Sequence, residues 1–350
     1  MYHTYVYTHT NTHTHTLTHT GAGDMNLKRS MLPQRAAPPS SAAEPWWGEQ
    51  ADEAEMIVAL GGWDGSRNLA SFEEIRPKQE TWKVLGNMSC SRRGAAAAAM
   101  NGQIWVVGGW DGQAYLKAVE VYDVATGRWS QVKSMLEPRC YAAMAVMDGK
   151  LSVAGGYYGQ VNLDSVEVYD PVSDEWTSLP RMACPRRGLG LAALNGHLYA
   201  VGGWDGKHNL ASVESFSSMT GTWRRVPELA RARSSVAVAV NGGALFAIGG
   251  WDGKNFLSSV ECYAPIYGTV RNPVGEWRML APMNVPRSYA SAVALGNRIL
   301  VLGGWDGTDG RRLDSVEAYD ARQDKWIRCP SLTCPRYGLA AVVVSPPSPA

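Results

Sequence analysis

A repeat of 47 residues constrains this chain more than any other feature of its sequence. Six Gly-Gly pairs recur, and the spacings between their first glycines are 47, 47, 47, 47 and 54 residues: Gly61, Gly108, Gly155, Gly202, Gly249 and Gly303. Further along each unit lies a tryptophan, which we call the marker tryptophan, and ten residues after it an arginine, which we call the marker arginine. The tryptophans are Trp82, Trp129, Trp176, Trp223, Trp277 and Trp326, and the arginines are Arg92, Arg139, Arg186, Arg233, Arg287 and Arg336. Three markers in register indicate one structural unit repeated six times.

Each unit is predicted to contain four short β-strands. Small and apolar residues follow the marker arginine, and an Asn-Gly or Asp-Gly pair such as Asn101-Gly102 then predicts a tight hairpin. The second strand ends in Gly-Gly, the third alternates polar and apolar residues, and the fourth carries the marker tryptophan, which is expected to pack between units. The alanine run at residues 95–99 favours a helix by propensity, but the phase of the repeat places it on a first strand.

Six units of four strands predict an all-β fold, a six-bladed β-propeller. The first unit starts with its second strand, near Met56–Leu60, whereas the chain ends with an unmatched first strand at residues 339–345. We expect this C-terminal strand to pair into the first blade and close the ring. The predicted domain organisation is therefore an N-terminal segment of residues 1–55, a propeller of residues 56–345 and a tail of residues 346–350.

Charge and hydropathy argue against two classes of partner. The chain has 33 Lys and Arg against 32 Asp and Glu, so it lacks the overall positive charge that attracts nucleic acid or an anionic membrane. No run approaches the roughly 18 apolar residues of a membrane helix, and the N-terminus lacks the apolar stretch of a signal peptide. A cytoplasmic protein with no nucleic-acid or membrane partner is expected.

The N-terminal segment has low sequence complexity. Residues 1–20 alternate His and Thr and hold five of the seven histidines, and residues 33–45 are rich in Pro, Ala and Ser. Such a segment buries too little apolar surface to offset its ordering entropy, which predicts disorder over residues 1–55. Loose metal binding by histidines two residues apart is the alternative.

The repeated motifs resemble a known family. Gly-Gly-x-Asp-Gly, Val-Glu-x-Tyr-Asp, the tryptophan and Pro-Arg, spaced by 47 residues, are similar to the Kelch repeat, and their even spacing resembles the six-bladed propeller of Kelch-like (BTB-Kelch) proteins. In that family BTB and BACK domains precede the propeller, and members serve as substrate adaptors of cullin-3 ubiquitin ligases or associate with actin. The 55 residues before the first blade are too few for a BTB domain.

The resemblance implies a protein-interaction module. Its expected partner is a protein or peptide ligand, as in substrate recognition for a cullin-3 adaptor, and actin binding is the main alternative. Because the BTB domain is absent, contact with a cullin-3 complex is expected only through another, BTB-containing protein.

The resemblance also implies which face binds. In Kelch-like proteins, substrates bind where the loops between the second and third strands and the linkers between blades emerge. At this face an aromatic residue follows every Gly-Gly pair: Trp63, Trp110, Tyr157, Trp204, Trp251 and Trp305. Aromatic side chains dominate binding hot spots, but a position repeated in every blade equally suits packing between blades. Both interpretations stay open from the sequence.

Positions that differ between the repeats are expected to determine specificity. These candidates come from the loops and from the residue after the marker arginine: Asn68, Tyr115, Asn162, Asn209, Phe256 and Arg93, Arg187, Ser234, Ser288, Tyr337, with Arg311 in the sixth loop. The variable loop positions hold seven basic residues against Asp309. We therefore predict a peptide ligand of acidic character, whose carboxylates meet Arg93, Arg187 or Arg311.

An enzymatic role is disfavoured by the sequence. Some Kelch propellers are copper oxidases or sialic acid mutarotases, but the propeller has two histidines, His197 and His208, which are predicted on opposite faces. The chain has no His-Glu-x-x-His, Gly-x-Ser-x-Gly or Cys-x-x-Cys motif. The prediction is a non-enzymatic protein with no metal and no cofactor, and a mutarotase-type activity remains the lesser alternative.

Overall fold

Six four-stranded antiparallel sheets form the part of the chain that the structure describes. The structure is a computed structural model, and it describes residues 45–48, 50–267 and 273–345. From first to fourth strand, the sheets are blade 1 (Ala340–Val344, Met56–Leu60, Ser71–Ile75, Lys83–Asn87), blade 2 (Ala96–Met100, Gln103–Val107, Val119–Asp123, Arg128–Val132), blade 3 (Ala143–Met147, Lys150–Ala154, Val166–Asp170, Glu175–Leu179), blade 4 (Gly190–Leu194, His197–Val201, Val213–Ser217, Thr222–Val226), blade 5 (Ala237–Asn241, Ala244–Ile248, Val260–Tyr263, Trp277–Leu280) and blade 6 (Ser291–Leu295, Arg298–Leu302, Val316–Asp320, Lys325–Cys329).

The first strands of the six blades contact one another in a closed ring around a central axis, which confirms the predicted six-bladed β-propeller. The alanine run lies on the first strand of blade 2, as the repeat phase predicts, since small side chains let the first strands approach one another at the axis. Regular structure in the described ranges consists of strands alone, and those ranges contain no helix able to cross a membrane.

Strand exchange between the two ends of the propeller closes the ring. The first strand of blade 1 comes from the C-terminus and pairs antiparallel with the second, from Met56 opposite Val344 to Leu60 opposite Ala340. The predicted closure is therefore confirmed. It removes the free edge that the second strand would otherwise present and completes the wall of the axis.

Three short hairpins lie outside the six sheets. Two are at the face where the second-to-third-strand loops emerge: Tyr157–Tyr158 pairs with Val161–Asn162, and Trp305–Asp306 pairs with Arg311–Arg312. The third, Ile266–Tyr267 with Pro273–Val274, lies in the connection between the third and fourth strands of blade 5, where the repeat has its extra residues. Residues 268–272 of this insertion lie outside the described residues.

The marker tryptophans connect neighbouring blades, as predicted. The indole Nε1 of Trp176 in blade 3 donates a hydrogen bond of 2.8 Å to the Lys133 carbonyl, which follows the fourth strand of blade 2. Trp82, Trp223, Trp277 and Trp326 make the equivalent bond to the preceding blade. Trp129 instead packs edge-on against Phe72 of blade 1, at 5.2 Å between ring centroids.

The marker arginines are buried clamps between blades. The Arg186 guanidinium donates hydrogen bonds to the Gly202 and Ser212 carbonyls of blade 4 and, at 2.8 Å, to Glu214 Oε1. The other Glu214 oxygen accepts the Ala183 N–H of the linker. All six arginines are at most 1% exposed, and each pairs with a third-strand glutamate: Arg92–Glu120, Arg139–Glu167, Arg186–Glu214, Arg233–Glu261, Arg287–Glu317 and Arg336–Glu73.

The backbone of the same arginine is bonded to the preceding blade. Arg186 donates its N–H to the Leu163 carbonyl, and its own carbonyl accepts the N–H of Gly156 in blade 3. A Cβ at Gly155 would lie 2.4 Å from that carbonyl oxygen, and Gly155 has a φ of +62°. The Gly-Gly pair is therefore required by the close approach of the arginine backbone.

A segment before the first blade packs on the opposite face from the inter-blade linkers. Trp46, Trp47 and Ala51 contact the apolar cluster that contains Leu295 and Leu300 of blade 6. The Trp46 indole also donates to the Gln79 carbonyl of blade 1 at 3.3 Å. The described chain thus already packs on the propeller about ten residues before the predicted boundary at Met56, because two tryptophans supply apolar surface there.

This segment covers an ion pair of blade 6, whereas the matching ion pair of blade 3 is open to solvent. Arg298 and Asp320 of blade 6 are 1% and 3% exposed and 2.6 Å apart, whereas the matching Lys150–Asp170 pair of blade 3 is 47% and 30% exposed. Gly48 lies against Arg298, since a Cβ there would be 2.9 Å from Arg298 Cγ. The predictions for residues 1–44 and for the tail 346–350 lie outside the described residues.

Removing the C-terminal strand is expected to prevent folding. Deletion of residues 337–350 leaves the second strand of blade 1 without its axial partner and opens the ring. We expect no soluble folded protein by expression yield and circular dichroism, while deletion of residues 346–350 alone preserves the fold. A melting temperature unchanged by the longer deletion would refute closure by strand exchange.

Breaking one clamp is expected to cost far more than breaking a surface pair. Glu214→Gln leaves the Arg186 charge buried without its counter-ion, and we expect about 3–5 kcal/mol less free energy of unfolding. The control is Asp164→Asn, which removes a pair with Arg181 whose side chains are 69% and 34% exposed, and which should cost less than about 1 kcal/mol. Denaturant unfolding of both variants measures the difference, and equal losses contradict the clamp.

Candidate functional site

The structure brings every predicted site residue to one face of the propeller. We call this face the mouth; it is formed by the loops between second and third strands and by the linkers between blades. The aromatic residue after a Gly-Gly pair forms one backbone bridge to the linker between blades and one to the loop that follows it. Examples are Arg187–Trp204–Asn209 and Ser234–Trp251–Phe256. The same arrangement holds for Trp63 with Asn68 and Tyr337, Arg93 with Trp110 and Tyr115, Tyr157 with Asn162, Ser288 with Trp305, and Arg311 in the Trp305 hairpin.

The repeat aspartates shape the loops of the mouth. Asp111 Oδ1 accepts hydrogen bonds of 2.7 Å from the Ala114 and Gln113 N–H groups. These backbone hydrogen bonds hold the pKa of the Asp111 carboxyl below its usual value. Asp64, Asp205 and Asp252 cap their loops in the same way. These carboxylates are thus used to hold their own turns.

A ring of six backbone hydrogen bonds surrounds the axis at the floor of the mouth. The residue two positions after each marker arginine donates its N–H to the equivalent carbonyl of the preceding linker, as Tyr141 does to Gly94 at 2.7 Å. The six members all have φ between +51° and +65°: Gly94, Tyr141, Gly188, Ser235, Tyr289 and Gly338. Glycine at three of these positions is the signal in the sequence for this left-handed conformation.

Three tyrosines cover the axis at this ring. Tyr141 and Tyr289, from the linkers into blades 3 and 6, meet with ring centroids 5.3 Å apart, and Tyr337 lies 5.7 Å from Tyr289. Burial raises the pKa of Tyr141 well above its usual value. Sequence reasoning identified Tyr337 but missed Tyr141 and Tyr289, because contacts across the axis join residues that are far apart in the chain.

The mouth contains a cavity of about 480 Å³ over blades 4, 5 and 6. Eight of its ten lining residues are predicted site residues, and Ser235 and Tyr289 are the other two: Arg187, Trp204, Asn209, Ser234, Trp251, Phe256, Ser288 and Trp305. The walls are aromatic, and the polar groups are hydroxyls, an amide and a guanidinium. A cavity of this size and lining suits a few side chains of a peptide or a small polar molecule.

Three of the aromatic residues after Gly-Gly, Trp204, Trp251 and Trp305, line this cavity, and Trp305 also packs against the preceding blade. Phe256 lies 4.5 Å from Trp251 of its own blade and 5.1 Å from Trp305 of the next, measured between ring centroids. Trp204, Trp251 and Trp305 are nevertheless only half-buried. For Trp305, packing between blades is therefore compatible with exposure to the cavity, and ligand binding by these rings stays a prediction.

Two arginines of the mouth are held on aromatic rings. The Arg93 guanidinium lies 5.2 Å from the Trp63 ring centroid, and its Nη1 donates to the Tyr337 hydroxyl at 3.3 Å. The Arg187 guanidinium lies 5.0 Å from the Tyr157 ring centroid. Among the residues that the structure describes, no carboxylate oxygen comes within 4.0 Å of either guanidinium. Both cations are oriented but are not neutralised by an acid.

Arg311 differs from these two arginines. It is 68% exposed and pairs with Asp309, and its Nη2 lies 4.0 Å from Asp306 Oδ2. Its predicted role as a carboxylate receptor is therefore less favourable than that of Arg93 or Arg187, because two acids of its own hairpin already compete for the charge.

Other chemistry-bearing groups at the mouth give no reactive centre. Cys140 is 2% exposed, and burial raises the pKa of its thiol to about 12, so it stays protonated at neutral pH. His208 is exposed beside Asp205, and His197 contacts the Asn195 carbonyl at the opposite end of blade 4. Within residues 45–48, 50–267 and 273–345, no three or more His, Cys, Asp or Glu residues are grouped as metal ligands.

Comparison with known proteins identifies the repeats. Residues 50–184 match the model of the KLHDC2/KLHL20/DRC7 Kelch-repeats domain, and residues 185–230, 232–284 and 286–333 match the Kelch motif. Similar relatives include Kelch-like protein 4 of Homo sapiens, 36% identical over 22% of this chain and 10% of the relative, and Kelch-like protein 22 of Homo sapiens, 36% identical over 21% and 12%. An F-box/kelch-repeat protein of Arabidopsis thaliana is 31% identical over 17% and 16%.

The matched segments thus span only 10% to 16% of these relatives. The solved structure of YjhT superposes with a TM-score of 0.63 at 18% identity, covering 75% of this chain and 88% of that one, which is a likeness of fold. The family matches together cover the propeller from blade 1 to the fourth strand of blade 6. With six four-stranded blades and a clamp arginine in each repeat, this chain belongs to the Kelch-repeat family.

Proposed function

We propose that this protein is a non-enzymatic interaction module that binds an acidic peptide segment of a partner protein at the mouth of its propeller. The observation that carries the proposal is the pair Arg93 and Arg187, each held on an aromatic ring with no carboxylate partner among the described residues. A cation fixed in this way recognises a carboxylate with little loss of side-chain entropy on binding.

The surroundings of Arg187 favour a peptide. Arg187 borders the 480 Å³ cavity, whose Ser234, Ser288 and Asn209 offer hydrogen bonds to a backbone or a polar side chain. Asn209 Oδ1 is buried with no partner among the described residues. A ligand that fills this cavity with aromatic walls would exclude water from these groups, and each hydrogen bond formed there would gain strength in the lower local dielectric.

Membership of the Kelch-repeat family supports a biological role for this binding. We propose that the chain recognises a substrate for a cullin-3 ubiquitin ligase in the cytoplasm. Purification of the tagged chain from cells tests this: recovery of cullin-3 together with a BTB protein supports the adaptor role. Co-sedimentation with actin filaments in place of such recovery favours the cytoskeletal alternative.

Sugar chemistry is the second candidate function, and the lining of the cavity is the observation that favours it. Trp204, Trp251 and Trp305 offer faces on which a sugar ring stacks, and the serine hydroxyls offer hydrogen bonds. A mutarotase needs only a few polar groups in such a pocket. Acceleration of anomer exchange, followed by proton NMR on a panel of free sugars including sialic acid, would support this function over peptide binding.

Charge reversal at the mouth should abolish binding of acidic peptides. Random 12-residue peptides displayed on phage are selected on the purified chain, and a selected acidic peptide is labelled with fluorescein for anisotropy. We expect Arg187→Glu to weaken its binding at least tenfold, the doubly reversed Arg93→Glu, Arg187→Glu variant to abolish it, and added salt to weaken it in the wild type.

The matched control is Arg67→Glu, which makes the same charge change in a loop of the same face. Arg67 is 80% exposed and lies 3.6 Å from Asp64, so its reversal should change binding less than twofold. Peptide binding that survives reversal of both Arg93 and Arg187 would overturn the proposal.

A further inference from the structure

Blade 3 departs from the repeat at the mouth. The other five blades carry an aspartate two residues after the Gly-Gly pair, and blade 3 has Tyr158 at that position. In blade 3 the loop closes as a tight hairpin in which Tyr157 pairs with Asn162 and Tyr158 with Val161. A charged position of the mouth is thereby replaced by an apolar one in this blade alone.

The hairpin exposes apolar side chains that the other mouth loops lack. Tyr158 is 45% exposed and Val161 is 61% exposed. Leu136, in the linker that leads into blade 3, is 54% exposed. Seven large hydrophobic residues are exposed in the described chain. Three of them, Leu136, Tyr158 and Val161, lie on the mouth side of blade 3 or in the linker that leads into it. Such clustering distinguishes a binding patch from the scattered apolar residues of an ordinary surface.

Neighbouring tyrosines hold this patch in place. Tyr115 of blade 2 packs 5.7 Å from Tyr157 and 5.8 Å from Tyr158, in edge-to-face geometry with both rings. Tyr115 packs in turn 4.5 Å from Trp110. We call Tyr115, Tyr157, Tyr158 and Val161 the blade 3 platform. Its rings are ordered before any ligand binds, which lowers the entropic cost of binding on it.

An unneutralised cation adjoins the platform. The Arg187 guanidinium lies over Tyr157, a platform residue, and Arg187 also lines the 480 Å³ cavity. Arg187 therefore adjoins both the apolar platform and the cavity with aromatic walls. A carboxylate bound there would place the adjoining residues of the same chain on the platform in one direction and in the cavity in the other.

We propose that the mouth recognises an extended peptide in which an acidic residue adjoins a large aliphatic or aromatic residue, with the carboxylate on Arg187 and the apolar side chain on the blade 3 platform. This inference rests on the proposed function and specifies its ligand. Charge complementarity selects an acidic peptide over a second copy of this chain, because the repeat aspartates that a copy would offer already cap their own loops.

The phage-displayed 12-residue library tests the inference. Selection on the wild-type chain should enrich peptides that combine Asp or Glu with Leu, Ile, Phe, Tyr or Trp. The double variant Tyr158→Ser, Val161→Ser should bind a selected peptide about tenfold more weakly by anisotropy. Both residues are exposed, so circular dichroism and the melting temperature should not change. Val172→Ser, at a residue that is 95% exposed between the third and fourth strands of blade 3, is the matched control and should leave binding unchanged.

A second variant keeps the test decisive if the serine pair disturbs the hairpin. Tyr158→Asp restores the aspartate of the other five repeats, which can cap the loop, and it should also weaken the peptide about tenfold. On the peptide side, replacing the apolar residue by Ser should weaken binding to the wild type by the same factor. It should cause no further loss in the Tyr158→Ser, Val161→Ser variant, as expected for two changes that remove one contact.

The outcomes separate the inference from the proposed function. Enriched peptides that are acidic but carry no large apolar residue, or full affinity in both platform variants, overturn the inference and leave the proposed function intact. Enrichment of no peptide, or of basic peptides, overturns the proposed function and the inference together. Self-association that the platform variants abolish identifies the patch as an interface between copies, and it also overturns the inference.

Discussion

The buried arginine–glutamate pair of each repeat is the interaction on which the rest of the propeller depends. Each guanidinium is removed from water, and the glutamate and two backbone carbonyls of the next blade compensate its buried charge. Its backbone is bonded to the preceding blade. The residue that follows it is thereby fixed at the mouth, so the structural Arg92 and Arg186 position the candidate functional residues Arg93 and Arg187.

This dependence explains how much of the fold could be predicted from the sequence. The clamp and the Gly-Gly pair make the same contacts in successive blades, and the marker tryptophan makes the same hydrogen bond in five blades of six. Each therefore leaves a periodic trace in the sequence that indicates strand order and ring closure. Contacts made once leave no such trace. The meeting of Tyr141 with Tyr289 across the axis and the packing of Trp46 on blade 6 are of this kind, and only the folded chain shows them.

In the candidate site, too, the repeat predicts some features and not others. Loop position alone placed the seventeen predicted residues at one face, because the repeat determines which end of a blade each loop occupies. The charge available to a ligand could not be predicted in this way. Arg67, Arg187 and Arg311 are equivalent in a count of basic residues. In the folded chain Arg67 and Arg311 lie beside aspartates of their own loops, whereas Arg187 lies on an aromatic ring.

The six blades share one repeated structure, but their loops give the mouth different surfaces on different sides. The cavity lies over blades 4 to 6, the apolar platform belongs to blades 2 and 3, and Tyr141, Tyr289 and Tyr337 cover the axis between the halves of the ring. A compact ligand seated in the cavity has no need of the platform, whereas an extended chain can reach both from Arg187. Burial of an apolar side chain on the platform and pairing of a carboxylate with Arg187 contribute separately to affinity. A ligand that makes both contacts therefore binds more tightly than a ligand that makes only one of them.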